Sequence, residues 1–153
     1  MPGKSIAIIA TKGSLDWAYP PFILASTGAA LGYDCKMFFT FYGLHLLKRN
    51  LSLRVSPLGN PGMPLPLPVL LQAMPGTQYL ATAMMKRRIR AKGVAEIGEL
   101  RNLCVEAGVR LVACQMTVDL FDWRHSDFID GVEYGGATTF FDFAGESDIC
   151  LFI

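Results

Sequence analysis

The sequence predicts one α/β domain built on a mainly parallel sheet. Three observations predict it. Short apolar runs alternate with helix-like stretches along the chain, and that order requires right-handed crossovers between parallel strands. The runs are apolar at consecutive positions, as in strands covered on both faces. The length, 153 residues, gives one sizeable core and not two. Lys4–Thr11 (KSIAIIAT) reads as the first strand. Lys12, Gly13 and Ser14 follow it, then a helix over Leu15–Leu31, with Pro20 and Pro21 in its first turns and Gly32 as its stop. Cys35–Phe41 is a second strand, and Gly43 opens a short helix (LHLLKRN). Leu51–Gly76 is an irregular insertion rich in proline and glycine, whose apolar content argues against simple disorder. Helices follow at Thr77–Arg90 and Ala95–Ala107, the latter with Ile97, Leu100, Leu103 and Cys104 at helical spacing. Val109–Cys114 is a third strand and Thr117–Trp123 a short helix. After Val132–Tyr134 comes a glycine-opened helix (GGATTFFDFAGE), and Asp148–Ile153 closes the chain as a strand. There is no internal repeat and no linker, so residues 1–153 form a single domain.

Composition narrows the function. Hydrophobic residues make up 52% and charged residues 18%, more apolar and less charged than an average soluble domain. The surplus apolar surface belongs in a subunit interface, a groove or a membrane. The net charge of +1 hides an asymmetry. Residues 1–114 carry 13 basic and 5 acidic side chains, and residues 115–153 carry 1 basic and 8 acidic. Such a balance argues against nucleic acid as a partner. The opening MPGKSIAIIA runs straight into TKGSLD without a small-residue cleavage site, unlike a secretory signal. With four cysteines in no CxxC pair, this points to the cytoplasm and away from a zinc site; no cofactor motif is visible. Residues 63–85 are uncharged, but four prolines remove too many backbone donors for a favoured membrane span. A buried or interface-forming loop is the preferred reading.

Ligands of open parallel sheets gather beyond the carboxyl ends of the strands. Four features converge there: Lys12 and Gly13 after strand one, Tyr42 and Gly43 after strand two, Cys114 with Gln115 and Met116, and the pair Gly135–Gly136. Cys114 has the best position for a nucleophile. Thr117 could cap the helix beyond it, whose unpaired amides favour a nearby anion and so a thiolate. The opposing reading is a core filler, because free cysteine is among the most buried residue types. Cys35 and Cys104 read as inert packing. Cys150 is a candidate second thiol, able to resolve Cys114 only if their strands are neighbours. His45 and His125 could both reach the mouth, but no triad spacing supports either as a base. Gly135–Gly136 fits a tight turn better than an anion nest, and no GxGxxG is present. KRRIRAK reads as a solvated helix face that could also dock an acidic protein partner or an anionic lipid surface.

Taken together, FFTFYGLHLLKR, ATAMMKRRI, the span from LVACQMTVDL to DFIDGVEYGGATTF, and DICLFI resemble the DsrE/DsrF-like proteins, in the branch often labelled peroxiredoxin-like and found beside rhodanese and TusA-like sulfur carriers. The likeness covers nearly the whole chain. It implies a three-layer flavodoxin-like sandwich and a homo-oligomer, read as a trimer, tetramer or hexamer. It also implies a cysteine that carries sulfane sulfur as a persulfide, with Cys114 in the motif position and Cys150 where some members have a second cysteine. Tyr42 and His45 stand where the family more often has Trp and Asn. Sulfur relay by thiolate attack needs no metal and no acid–base pair, in keeping with their absence as motifs. The expected activity is therefore sulfur transfer to or from a TusA-like or rhodanese-like protein. Lys12 would supply a positive charge near the thiolate. A thiol peroxidase is the first rival, although the residue three before Cys114 is Leu111 and not Thr or Ser. The second is a non-enzymatic oligomeric or membrane-associated assembly module.

Overall fold

The computed structural model describes residues 3–56 and 69–153. Its five strands are β1 (Ser5–Ala10), β2 (Asp34–Phe39), β3 (Arg110–Cys114), β4 (Glu133–Gly135) and β5 (Ile149–Phe152), and its helices are α1 (Leu15–Ala30), α2 (Val69–Gln72), α3 (Thr77–Ala91), α4 (Ile97–Glu106), α5 (Gln115–Leu120) and α6 (Ala137–Ala144). The sheet is parallel throughout, in the order β4-β3-β2-β1-β5. The α/β fold expected from the alternating pattern is the one found.

Period-two alternation sorts the strand residues between two layers. Ile6, Ile8, Ala10, Cys35, Met37, Phe39, Leu111 and Ala113 point to one face, against Leu15, Ala18, Phe22 and Ala25 of α1 and Ile97 and Cys104 of α4. This is the main core. Phe22 and Phe39 are fully buried in it with ring centroids 6.0 Å apart, and each contributes on the order of 2–3 kcal/mol through burial. The other face is thinner. Phe38, Val112 and Cys114 form a small cluster there with Ile9 and Phe140 of α6. No residue of α6 is itself buried.

Several local details differ from the sequence expectation. Pro20 and Pro21 lie in the second turn of α1, where they remove two donors from the helical ladder. The short helix after β2 is a 3-10 helix over Phe41–Leu47, and Lys48 then bridges to Phe128. Of the irregular insertion, residues 57–68 lie outside the described residues. Its first part is a tied strap and not a free loop. Arg54 O accepts Leu15 N–H at 2.7 Å, Asp16 accepts Ser56 N–H at 2.8 Å and Ser56 Oγ–H at 2.6 Å, and Val55 N–H donates to Thr82 Oγ1 at 3.1 Å. Leu53 and Val55 are buried beneath it. Helix α5 starts at Gln115, two residues earlier than the sequence suggested. Among the described residues no helix is long and apolar enough to cross a membrane; part of the uncharged stretch 63–85 lies outside them.

Candidate functional site

Cys114 ends β3 at the carboxyl edge of the sheet, between β2 and β4. It is itself the residue that opens α5. Its exposure is 5%, and its neighbours are Phe38, Val112, Ile9 and Phe140. The register sets Gly135 directly opposite it on β4, so the position beside Cys114 on that strand carries no side chain. A methyl group at Gly135 would strike the Thr139 side chain. The glycine thus lets α6 seat close to the strand that precedes it, and Gly136 opens that helix.

Thr117 does not cap α5. It is fully buried inside the helix, and its hydroxyl ties the end of β2: Phe41 N–H donates to Oγ1 at 3.2 Å, and Thr40 Oγ1 lies 3.3 Å away. Gln115, the residue after Cys114, is held from two sides. Its Nε2 donates to Asp119 Oδ1 at 2.7 Å, and its Oε1 lies 3.0 Å from His125 Nε2. His125 stacks on Tyr134 of β4 with centroids 3.6 Å apart and planes 9° from parallel. His125 therefore reaches the mouth through Gln115, and no hydrogen bond joins either histidine to Cys114 among the described residues. Met116 is 61% exposed on α5.

The rest of the expected mouth lies elsewhere. Lys12, Gly13 and Tyr42 line an open cleft of about 600 Å³ with Trp17, His45, Lys48 and Arg54, and Cys114 is not on its wall. Lys12 was expected beside Cys114. Instead its Nζ sits 3.3 Å from the centre of the Trp17 ring, a strong cation–π geometry. It follows β1, two strands from Cys114 and so about 10 Å away across the sheet. Gly43 follows β2, the strand between β1 and β3. A Cβ there would run into the carbonyl of Ala10, so the 3-10 helix can approach the end of β1 only through a glycine. Burial and, after it, the nearby Lys48 lower the pKa of His45 and so favour its neutral imidazole. Sequence reasoning missed Trp17, Lys48 and Arg54. A signal was available: no acidic residue occurs between Asp34 and Glu96, so a cation of that stretch is neutralised only by an acid from elsewhere in the chain, as Arg49 is by Asp130, and Lys48 and Arg54 form no ion pair among the described residues.

The other cysteines separate clearly. Cys35 and Cys104 are sealed in the main core. Burial, with Cys35 adding to it, pushes the Cys104 thiol up to about 11. Cys150 is exposed on the edge strand β5, opposite Ala7. Its strand is not a neighbour of β3 but three positions away, about 14 Å. That exceeds the roughly 7 Å a disulfide spans, so Cys150 cannot resolve Cys114 within one chain. Among the described residues, no three of His, Cys, Asp and Glu come together as a metal-ligand set.

A family model described as the DsrE/DsrF/DrsH-like family matches residues 2–152. The sulfur carrier protein DsrE2 of Allochromatium vinosum is 66% identical, with both chains covered completely. The protein YrkE of Bacillus subtilis, described as uncharacterized, is 26% identical over 98% of this chain and 97% of its own. Among solved structures, the ychN protein of E. coli superposes with a TM-score of 0.58 over 98% of this chain and 99% of that one, at 13% identity. That likeness concerns the fold alone.

Proposed function

Because the chain belongs to the DsrE/DsrF/DrsH-like family, we propose that it is a sulfur carrier in which Cys114 holds sulfane sulfur as a persulfide. The observation that carries this reading is the end-to-end 66% identity to a protein named as a sulfur carrier. The position of Cys114 supports it: a thiol at the carboxyl edge of a parallel sheet, with a glycine opposite. In the reaction, the Cys114 thiolate attacks the outer sulfur of a donor persulfide, R–S–SH. A new S–S bond forms on Cys114 as the donor's bond breaks, and R–S⁻ leaves. One sulfur atom has moved, one thiolate has replaced another, and no external oxidant or reductant is consumed. Reversal onto a second thiolate delivers the sulfur.

Two features shape how this would work. The low exposure of Cys114 shields a terminal sulfur from stray thiols, so transfer requires α6 to yield locally. Phe141 on that helix is 68% exposed and Phe152 of β5 is 75% exposed, apolar surface suited to a second copy of the chain in a homo-oligomer. The partners in transfer are small TusA-like or rhodanese-like proteins. A thiol-peroxidase reading would have to draw Cys150 from another copy.

The test is mass spectrometry after exposure to polysulfide. The protein gains about 32 Da per sulfur atom on the peptide containing Cys114. A Cys114→Ser variant gains nothing there, whereas Cys150→Ser loads normally at Cys114. Equal loading of intact Cys114→Ser protein would overturn the assignment.

A further inference from the structure

The cleft that holds Lys12 has no part in the chemistry of Cys114, and its lining has a marked character. Three cations reach it, Lys12, Lys48 and Arg54. Each lies over an aromatic ring: Lys12 over Trp17 at 3.3 Å, Lys48 over Trp123 at 4.0 Å, and Arg54 over Tyr79 at 4.2 Å. None of the three forms an ion pair among the described residues. The Asp16 carboxylate accepts two hydrogen bonds from Ser56 and forms no ion pair with any of the three among the described residues. Residues 57–68 carry no acidic side chain that could neutralise them.

A cation over an aromatic face is held in place while its outward hydrogens can donate; Arg54 gives one N–H to the Tyr79 hydroxyl and keeps the rest of its five donors. Three such cations around one concavity favour a negative charge. Their mutual repulsion is a cost the folded protein bears alone, and an anion relieves it. The volume of about 600 Å³ is far larger than an inorganic ion requires and matches a small organic ligand. Tyr42 and His45, stacked with their planes 6° apart, supply a flat wall.

From this we infer that the cleft is a binding site for a small organic anion of nucleotide size, with its phosphate-type group among Lys12, Lys48 and Arg54 and its flat body against the Tyr42–His45 wall. The site is independent of persulfide formation. Ligand would be held at the carboxyl end of β1 while sulfur is held at the end of β3, two strands away.

Isothermal titration of the full chain with ADP, thiosulfate and adenosine tests it. ADP binds, and adenosine binds far more weakly because the charge contributes most. Thiosulfate binds far more weakly than ADP, because it leaves the flat wall uncovered; thiosulfate binding as tightly as ADP would show a bare oxyanion site and overturn the nucleotide-size reading. Each of Lys12→Met, Lys48→Met and Arg54→Met weakens ADP by about tenfold or more, as expected for a lost charge-assisted hydrogen bond. Arg87→Met, which removes an exposed cation on α3, leaves affinity unchanged and so excludes a net-charge effect. Cys114→Ser also binds normally, which separates this site from sulfur carriage. Absence of ADP binding overturns the inference, as does binding that the three cleft variants leave intact.

Discussion

Replacing Phe140 with alanine tests whether α6 controls access to Cys114. The Phe140 ring packs on Phe38 with centroids 5.5 Å apart, within the small cluster that contains Cys114. A fully buried Phe→Ala change costs about 3–5 kcal/mol. Phe140 is only partly buried, so about half of that, roughly 1.5–2.5 kcal/mol, is expected. Because α6 has no buried residue to anchor it elsewhere, most of the loss falls on its docking and little on the main core. If Cys114 reacts only from a locally opened state, its rate follows the population of that state. A loss of about 1.5–2.5 kcal/mol then raises the rate about 10–70-fold. The assay is the time course of a chromogenic disulfide reagent on a Cys150→Ser background, which removes the exposed thiol. One slow phase, Cys114, should accelerate in Phe140→Ala. Cys35 and Cys104, sealed in the main core, should still wait for denaturant. An unchanged Cys114 rate would refute the gating argument. Equal acceleration of all three thiols would also refute it, since that would mean the whole fold had loosened.

Other expectations follow from the same geometry. Gly135→Ala sets a methyl group against Thr139 and should push α6 outward, raising Cys114 reactivity in the same assay with little change in the melting transition. Gly43→Ala meets a backbone carbonyl, which cannot swing away as a side chain can. The overpacking cost of about 1–3 kcal/mol predicts a fall in melting temperature of about 3–10 °C by circular dichroism. The raised pKa of Cys104 sets an alkaline limit. Its folded value of about 11 lies above the ordinary thiol value of the unfolded chain. Its contribution is therefore intact below pH 9 and is lost as pH rises toward 11, amounting to about 2 kcal/mol. Urea unfolding at pH 8 and pH 11 should show that difference in the wild type and a smaller one in Cys104→Ala.

Much of this molecule was legible in its sequence because strands buried on both faces announce themselves. KSIAIIAT, CKMFF and RLVAC each became a neighbouring strand of the central sheet, and Leu15, Phe22 and Cys104 supplied one helical layer against them. Strand order was not legible. Alternation of element types gives the same string whichever edge of the sheet a strand joins, and the terminal strand joined β1 and not β3. That single fact separates Cys150 from Cys114. Local capping was misjudged for a related reason. Thr117 has the residue type of a helix cap, yet the helix starts earlier and its hydroxyl is drawn to the backbone of Phe41. The charges misled most. Lys12 follows a strand end, where a cation beside a thiolate would be useful, but α1 presents Trp17 in its first turn, and that ring takes the ammonium.

This displacement of Lys12 bears on how the protein divides its work. The two layers of the sheet differ in thickness, and the two groups of polar and reactive side chains fall on either side of that difference. On the well-packed α1 face, cations are fixed by aromatic rings around a preformed cleft, a surface suited to binding without movement. On the thin face, a thiol lies beneath a short helix that no buried residue anchors, a surface suited to opening for a partner and closing again. Rigid recognition and gated reactivity make opposite demands on packing. Under the proposed reading one sheet meets both, because each face can be packed to a different depth and the parallel strands bring both to the same edge.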